Sequence, residues 1–261
     1  MIVDFDKVAF HIFGWPVHWY GLMYLIGFLM AWGLGRYRAA KPAFHWSKEE
    51  VDDLLFYVGL GVILGGRVGY ILFYNFGPFL ADPLMLFRVW QGGMSFHGGL
   101  LGVLTGLWIF HRKYHRGYFE TVDFIAPLVP PALGAGRIGN FINGELWGKP
   151  TDLPWGMVFP AAGPELRHPT PLYEAFLEGV LLFLILWWFS ARPRPTMAVS
   201  GVFAITYAIF RILVEFVRLP DPHLGYLAFG WVTMGMLLSI PLFFVGVIFL
   251  YFAYVRKRER A

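Results

Sequence analysis

Gly136-Arg137-Ile138-Gly139-Asn140-Phe141-Ile142-Asn143-Gly144-Glu145-Leu146-Trp147-Gly148 closes an apolar stretch that begins near residue 120. The run sets one guanidinium, two carboxamides and one carboxylate among four glycines, where hydrocarbon gives way to water. Polar groups are costly there: an arginine at the bilayer centre costs roughly 2.5–3.5 kcal/mol on insertion scales, and less near the interface. Such a cluster either folds a polar turn or binds something polar. Glycine permits a tight turn or a close backbone approach, and the arginine fork matches a phosphate or a carboxylate.

The surrounding chain explains why hydrocarbon is the relevant solvent. Of 261 residues, 57% are hydrophobic, 20% aromatic and only 15% charged, with a mean hydropathy of +0.57. Soluble domains carry about 25% charged residues. The composition therefore indicates an all-α polytopic membrane protein, a single bundle over residues 1–261. There is no cysteine, which excludes disulfides, a thiolate-bound metal and a cysteine nucleophile. The net charge of +4 does not indicate nucleic acid, because the basic residues sit in short loops. Met1–Gly14 holds Asp4 and Asp6 against Lys7, unlike the basic start of a cleaved signal peptide.

Seven apolar stretches have roughly spanning length: 18–35, 54–76, 95–111, 120–140, 173–190, 198–217 and 229–254. Pro127, Pro130 and Pro131 interrupt the fourth, which is expected to be kinked or broken. One set of loops holds thirteen basic residues: Arg36, Arg38, Lys41, Lys48, Arg112, Lys113, Arg116, Arg192, Arg194, Arg256, Lys257, Arg258 and Arg260. The other set holds five: Lys7, Arg88, Lys149, Arg167 and Arg218. The richer set belongs in the cytoplasm. Seven transmembrane helices with the N-terminus outside and the C-terminus cytoplasmic fit this count. Residues 141–172 are then the longest outer segment and form a small periplasmic cap. No internal repeat is visible.

Given that topology, polar residues collect in the outer half of the bundle. His18, Tyr20, Ser95 and His97 start helices there. Arg67 falls at mid-depth or slightly outward, and Arg137, Asn140, Asn143 and Glu145 at the outer end of the fourth span. Tyr207, Arg211 and Glu215 recur at i, i+4 and i+8, on one helix face. Each has two readings. Arg211 and Glu215 are a self-neutralising pair or a polar wall. Arg137, with no acid one turn away in its own helix, belongs to a structural turn or an anion site. Arg67, beside Gly65, Gly66 and Gly69, snorkels or pairs. His97 is a packing histidine or a proton acceptor. Tyr20 is a belt aromatic by default. His168 reads as structural. The histidines lack metal-ligand spacing, and no phosphate-binding loop or nucleophile elbow is present.

Taken together these residues resemble the bacterial prolipoprotein diacylglyceryl transferase family over nearly the whole chain. The run Gly136–Glu145 followed by Gly148 is similar to that family's signature. Supporting stretches are His18–Tyr24, Gly92–Gly99 and Phe210–Phe216. The segment between Gly148 and His168 is short compared with some relatives, which bears on the size of the cap and not on the core.

The resemblance implies a reaction in the bacterial cytoplasmic (inner) membrane, on its periplasmic side. The diacylglyceryl group of phosphatidylglycerol moves onto the cysteine thiol of a prolipoprotein lipobox peptide, giving a thioether and releasing glycerol phosphate. It further implies catalytic roles for His97, Arg137, Arg211 and Tyr20. Arg137, Asn140, Asn143, Glu145, Gly148, Tyr207, Glu215 and Arg67 are implied to bind substrate, with no metal and no cofactor. The partners are membrane lipid and precursor protein, not nucleic acid. A thiol with a pKa of about 8.5 is mostly protonated at neutral pH, which gives His97 a proton to remove. A lipid transporter would more often need polar residues along the whole path and an internal repeat. A retinal-type receptor would need a lysine in the seventh span, and there is none.

Overall fold

A computed structural model describes residues 1–88, 92–220 and 224–255. The basic residues Arg256, Lys257, Arg258 and Arg260 lie outside the described residues. In chain order the elements are β1 (Val8–Ile12), β2 (Trp15–His18), α1 (Trp19–Ala39), α2 (Lys48–Tyr74), α3 (Phe76–Ala81), α4 (Phe96–Tyr114), α5 (Tyr118–Ile125) and α6 (Val129–Ile142). There follow β3 (Met157–Val158), β4 (Leu166–Arg167), α7 (Thr170–Glu174), a π-helical segment (Ala175–Leu181), α8 (Leu182–Phe189), α9 (Ala198–Glu215) and α10 (Met234–Tyr254).

Among the described residues, four helices are long and apolar enough to cross a membrane: Lys48–Tyr74, Thr170–Phe189, Ala198–Glu215 and Met234–Tyr254. Their apolar side chains face outward in numbers a soluble protein does not show. Along α10 alone, Leu237, Leu238, Ile240, Phe244 and Ile248 are exposed. The other three apolar stretches are helical as well. α1 and α4 dilute their aliphatic residues with glycine, aromatic and basic side chains. The proline-rich stretch breaks as expected: α5 passes through a 3-10 turn at Ala126–Leu128, and Pro130 and Pro131 start α6, where their missing N–H groups cost nothing.

The expectation of an all-α chain needs one correction. Two small antiparallel sheets are present. β1 and β2 form a hairpin whose turn residues, Phe13 and Gly14, both have positive φ, as a tight two-residue turn requires. β3 and β4 pair inside the 141–172 segment. Alternation over two to five residues is too short a signal to separate from loop.

By contact the chain forms two compact units, residues 1–34 with 123–261, and residues 35–122. In the second unit, α2 packs on α4 through facing glycines. Gly61, Gly65 and Gly69 meet Gly98 and Gly102, and Gly106 meets the Tyr57 carbonyl. A Cβ on Gly102 would lie 1.9 Å from the Gly61 carbonyl oxygen, so the two backbones touch. Helices in lipid associate through such close packing, because hydrocarbon gives no hydrophobic drive between them. α2 starts with a full capping box, Ser47 with Glu50. At the same end Arg116 is held by Glu50 and Glu120, and Trp46 stacks on Phe110.

In the first unit the same device recurs. Gly27 of α1 faces Ala132 of α6, Gly134 of α6 faces Gly179 of the π-helical segment, and Gly201 of α9 faces Gly246 of α10. Asp123 accepts from the backbone of Met197 and Ser200 and from the Ser200 hydroxyl, capping α9 from another helix. Leu182, Leu186, Val199 and Ala126 form a core cluster against which Tyr207 packs. A second cluster joins Val3, Phe141 and Phe159, so the first residues of the chain fold onto the 141–172 segment. The hydrogen bond from Val3 N to Val158 O fixes that contact.

Candidate active site

The Gly134–Gly179 contact decides what surrounds Arg137. It brings α6 against the helix that carries Glu174 and Glu178. Arg137 Nε lies 3.2 Å from Glu174 Oε2, and its Nη2 lies 3.4 Å from Glu178 Oε2. Arg211, from α9, pairs through Nη1 with Glu174 and through Nη2 with Glu215 one turn on. Arg218 Nη1 reaches Glu174 Oε1 at 2.9 Å. Three guanidiniums thus interlock with three carboxylates. Thr233, which caps α10, donates to Glu215 Oε2, and Gly235 leaves the space that carboxylate fills.

Burial within this cluster is uneven. Glu174 and Glu178 are fully buried and Glu215 is 3% exposed, whereas the side chains of Arg137 and Arg211 keep 20% and 15% of their surface. The cluster is neutral in sum; Arg218 is buried with the carboxylates, and Arg137 and Arg211 form its partly exposed side. Among the described residues, Nη1 of Arg137 has no protein partner. Burying three anions would be prohibitive alone and is tolerable only with partners this close.

The signature run divides into two parts. Arg137 joins the cluster just described, while Asn140 and Asn143 both donate to Glu145 Oε1, at 2.7 and 3.4 Å. Glu145 therefore orders the turn, which passes through positive φ at Gly144 and Leu146, and does not orient an arginine. Tyr20 packs on Gly139, where a Cβ would sit 3.0 Å from its ring, and its hydroxyl lies 3.1 Å from that of Tyr24. Asn140 and Glu145 are within its electrostatic reach. Tyr207 stacks on Phe203 and stands within reach of Arg137, Arg211 and Glu178, as the shared helix face anticipates.

Gly148 is a seam. Its N–H donates to the His168 carbonyl, and a Cβ there would come within 2.8 Å of Val217, His168 and Thr170. In the same segment, His168 Nδ1 lies 3.2 Å from the Tyr173 hydroxyl, to which Trp155 also donates. Burial, and next the Lys149 ammonium, hold the His168 imidazole below the usual histidine range. The imidazole is therefore neutral at pH 7.

His97 and Arg67 belong to the second unit. His97 is exposed in the first turn of α4, which Ser95 caps by accepting from Gly98 N at 3.2 Å. Arg67, expected as a substrate ligand, makes its hydrogen bonds to the protein's own backbone. It is 2% exposed, and Nε, Nη1 and Nη2 all donate to backbone carbonyls.

Sequence reasoning missed Glu174, Glu178 and the role of Arg218. A signal was present. Two carboxylates one turn apart inside an apolar stretch repel each other unless cations lie between them. Among the described residues, no group of three histidine, cysteine or carboxylate side chains is arranged to hold a metal ion.

The family described as prolipoprotein diacylglyceryl transferase matches residues 7–252. A phosphatidylglycerol–prolipoprotein diacylglyceryl transferase of Coxiella burnetii (strain RSA 331 / Henzerling II) is 59% identical over 98% of this chain and 97% of its own length. The protein of that name from Azotobacter vinelandii is 60% identical over the same shares. That from Nitratidesulfovibrio vulgaris is 60% identical over 93% of this chain and 91% of its own.

Proposed function

The chain belongs to the prolipoprotein diacylglyceryl transferase family, and from that premise we propose how its own residues carry the transfer. The donor is phosphatidylglycerol and the acceptor is the lipobox cysteine of a prolipoprotein, the first step of lipoprotein maturation. The acceptor sulfur attacks the diacylglycerol carbon that bears the phosphate ester. A carbon–sulfur bond forms, the carbon–oxygen bond breaks, and glycerol phosphate departs with the bonding pair. The thiol proton passes to a base.

The observation that carries this reading is the cluster, with buried carboxylates holding two partly exposed guanidiniums. A headgroup phosphate placed against Arg137 and Arg211 gains charge as its ester bond breaks, and preset cations stabilise that charge without reorganising. Glu174, Glu178 and Glu215 keep the forks from collapsing or turning to solvent. Asn140, Asn143 and Glu145 hold the turn around Tyr20, and Tyr207 lines the arginines. His97, exposed at the first turn of α4, takes the thiol proton. All these steps use protein groups alone, because phosphate is already a competent leaving group once its charge is met.

The proposal sets the chain seven times across the bacterial cytoplasmic membrane, N-terminus outside and C-terminus cytoplasmic. The site and the 141–172 cap face the periplasm. Thirteen basic residues in one loop set against five in the other support this orientation.

The test is a single-cysteine lipobox peptide incubated with purified protein in phosphatidylglycerol-containing detergent, read by peptide mass. Wild type should add one diacylglyceryl group. Arg137→Lys keeps a charge for Glu174 but loses the fork, and should fall by about 10²–10³-fold in kcat, the cost of removing one preset donor to a developing anion. A full rate in Arg137→Lys, or no mass gain in folded wild type, refutes the assignment.

A further inference from the structure

Arg67 has five N–H groups, and five backbone carbonyls take them. Nε donates to Leu86 at 3.3 Å, Nη1 to Gly92 and Gly93, and Nη2 to Met85 and Arg88. The count matches a guanidinium's full complement. Among the described residues no carboxylate lies in its hydrogen-bond shell, so it is a buried cation held only by backbone dipoles and the nearby face of Tyr70. Met85 and Leu86 lie at the end of the 3-10 turn Pro83–Phe87, where a cation is favoured, and the Met85 carbonyl also accepts from Arg88 N at 3.2 Å. Gly92 and Gly93 have φ of +77° and +83°, and the Tyr70 ring lies where a Cβ of Gly93 would be.

These contacts have a consequence a few residues on. Ser95 N donates to the Gly66 carbonyl, one residue before Arg67 along α2, and the Ser95 hydroxyl caps α4. His97 is the second residue of that helix. Arg67 thus fastens both sides of the connection to α2, and Ser95 passes the anchoring to the first turn of α4. We propose that Arg67 is a positioning residue: its guanidinium folds the chain at 85–88 and 92–93 so that the start of α4 presents His97 in one orientation. This rests on the reading that His97 serves the transferase reaction. It replaces a headgroup role for Arg67 with one exerted through backbone.

The experiment compares Arg67→Lys, Gly92→Ala, His97→Gln and the Arg67→Lys/His97→Gln double variant in the peptide assay, varying phosphatidylglycerol. An ammonium has three donors and cannot serve five carbonyls. Arg67→Lys should lose about tenfold or more in kcat with KM for phosphatidylglycerol within about twofold, the pattern of a lost transition-state arrangement. Gly92→Ala meets nothing within 4 Å but strains the φ +77 backbone, and touches no donor. It should show a smaller loss of the same kind, and it carries the test should Arg67→Lys not fold. In the His97→Gln background, Arg67→Lys should add little. Because the chain has no cysteine, Phe96→Cys gives one thiol beside His97, and its maleimide labelling rate should change with Arg67→Lys.

A raised KM with kcat kept makes Arg67 a headgroup ligand and overturns the inference. So do losses that multiply in the double variant, or a labelling rate and kcat both equal to wild type. A full rate in His97→Gln would sink the role of His97, while the labelling arm still decides whether Arg67 sets the start of α4.

Discussion

Replacing Gly102 with alanine tests the α2–α4 contact on which the second unit depends. The added Cβ would lie 1.9 Å from the Gly61 carbonyl oxygen and 2.6 Å from its carbon, where real contacts do not fall below 3.0 Å. Both obstructing atoms are backbone, so no side chain can rotate away, and the helices must part by about 1 Å. That separation also loosens the Gly65–Gly98 and Gly69–Gly98 contacts on the same face. Overpacking typically costs about 1–3 kcal/mol, and an unyielding backbone neighbour places this change at the upper end, about 3 kcal/mol. For a chain of this size that is a melting temperature lower by about 6–12 °C. Gly99→Ala is the control: its nearest neighbour would be the Val62 carbonyl at 3.8 Å, an ordinary contact. It should be neutral or stabilising by up to about 1 kcal/mol from helix propensity. Tryptophan fluorescence during heating in detergent reads both. Equal melting temperatures for the two variants would refute the claim that backbone contact holds this pair.

Glu174→Gln leaves Arg137, Arg211 and Arg218 around a neutral amide, and should cost about 3–5 kcal/mol because it unbalances a buried charge set. Transfer should be lost with it, and an active variant of wild-type stability would show the cluster to be incidental. His168 binds a proton less readily folded than unfolded. Stability should therefore rise with pH up to its unfolded value of about 6.5 and fall on acidification below it. His168→Gln should flatten that part of the melting curve against pH, and an unaltered slope would count against the burial argument. Single cysteines test the topology in intact spheroplasts: Leu153→Cys should react with an impermeant maleimide and Arg192→Cys should not. The reverse pattern would invert the orientation.

Much of this was legible along the chain because helical periodicity is local. The apolar stretches, the breaking effect of Pro127, Pro130 and Pro131, and the shared face of Tyr207, Arg211 and Glu215 all depend on residues within a turn or two of one another. The run Gly136–Gly148 stood out because it sets an arginine, two asparagines and a glutamate at the end of an apolar stretch, where they either fold a turn or bind something polar.

What surrounds each charge was not legible. Arg137 appeared to lack an acid because its partners stand 37 and 41 residues away on another helix, placed by the fit of Gly134 against Gly179. Glu145, close in sequence, turned to two asparagines instead. Arg67, which the sequence left to snorkel or to pair, turned its donors to backbone carbonyls 18 to 26 residues away. By itself the sequence determined where helices form and which faces are polar, since propensity and period act over a few residues. Tertiary structure alone decided which charges neutralise which, because that depends on the few ångströms between helices whose glycines meet.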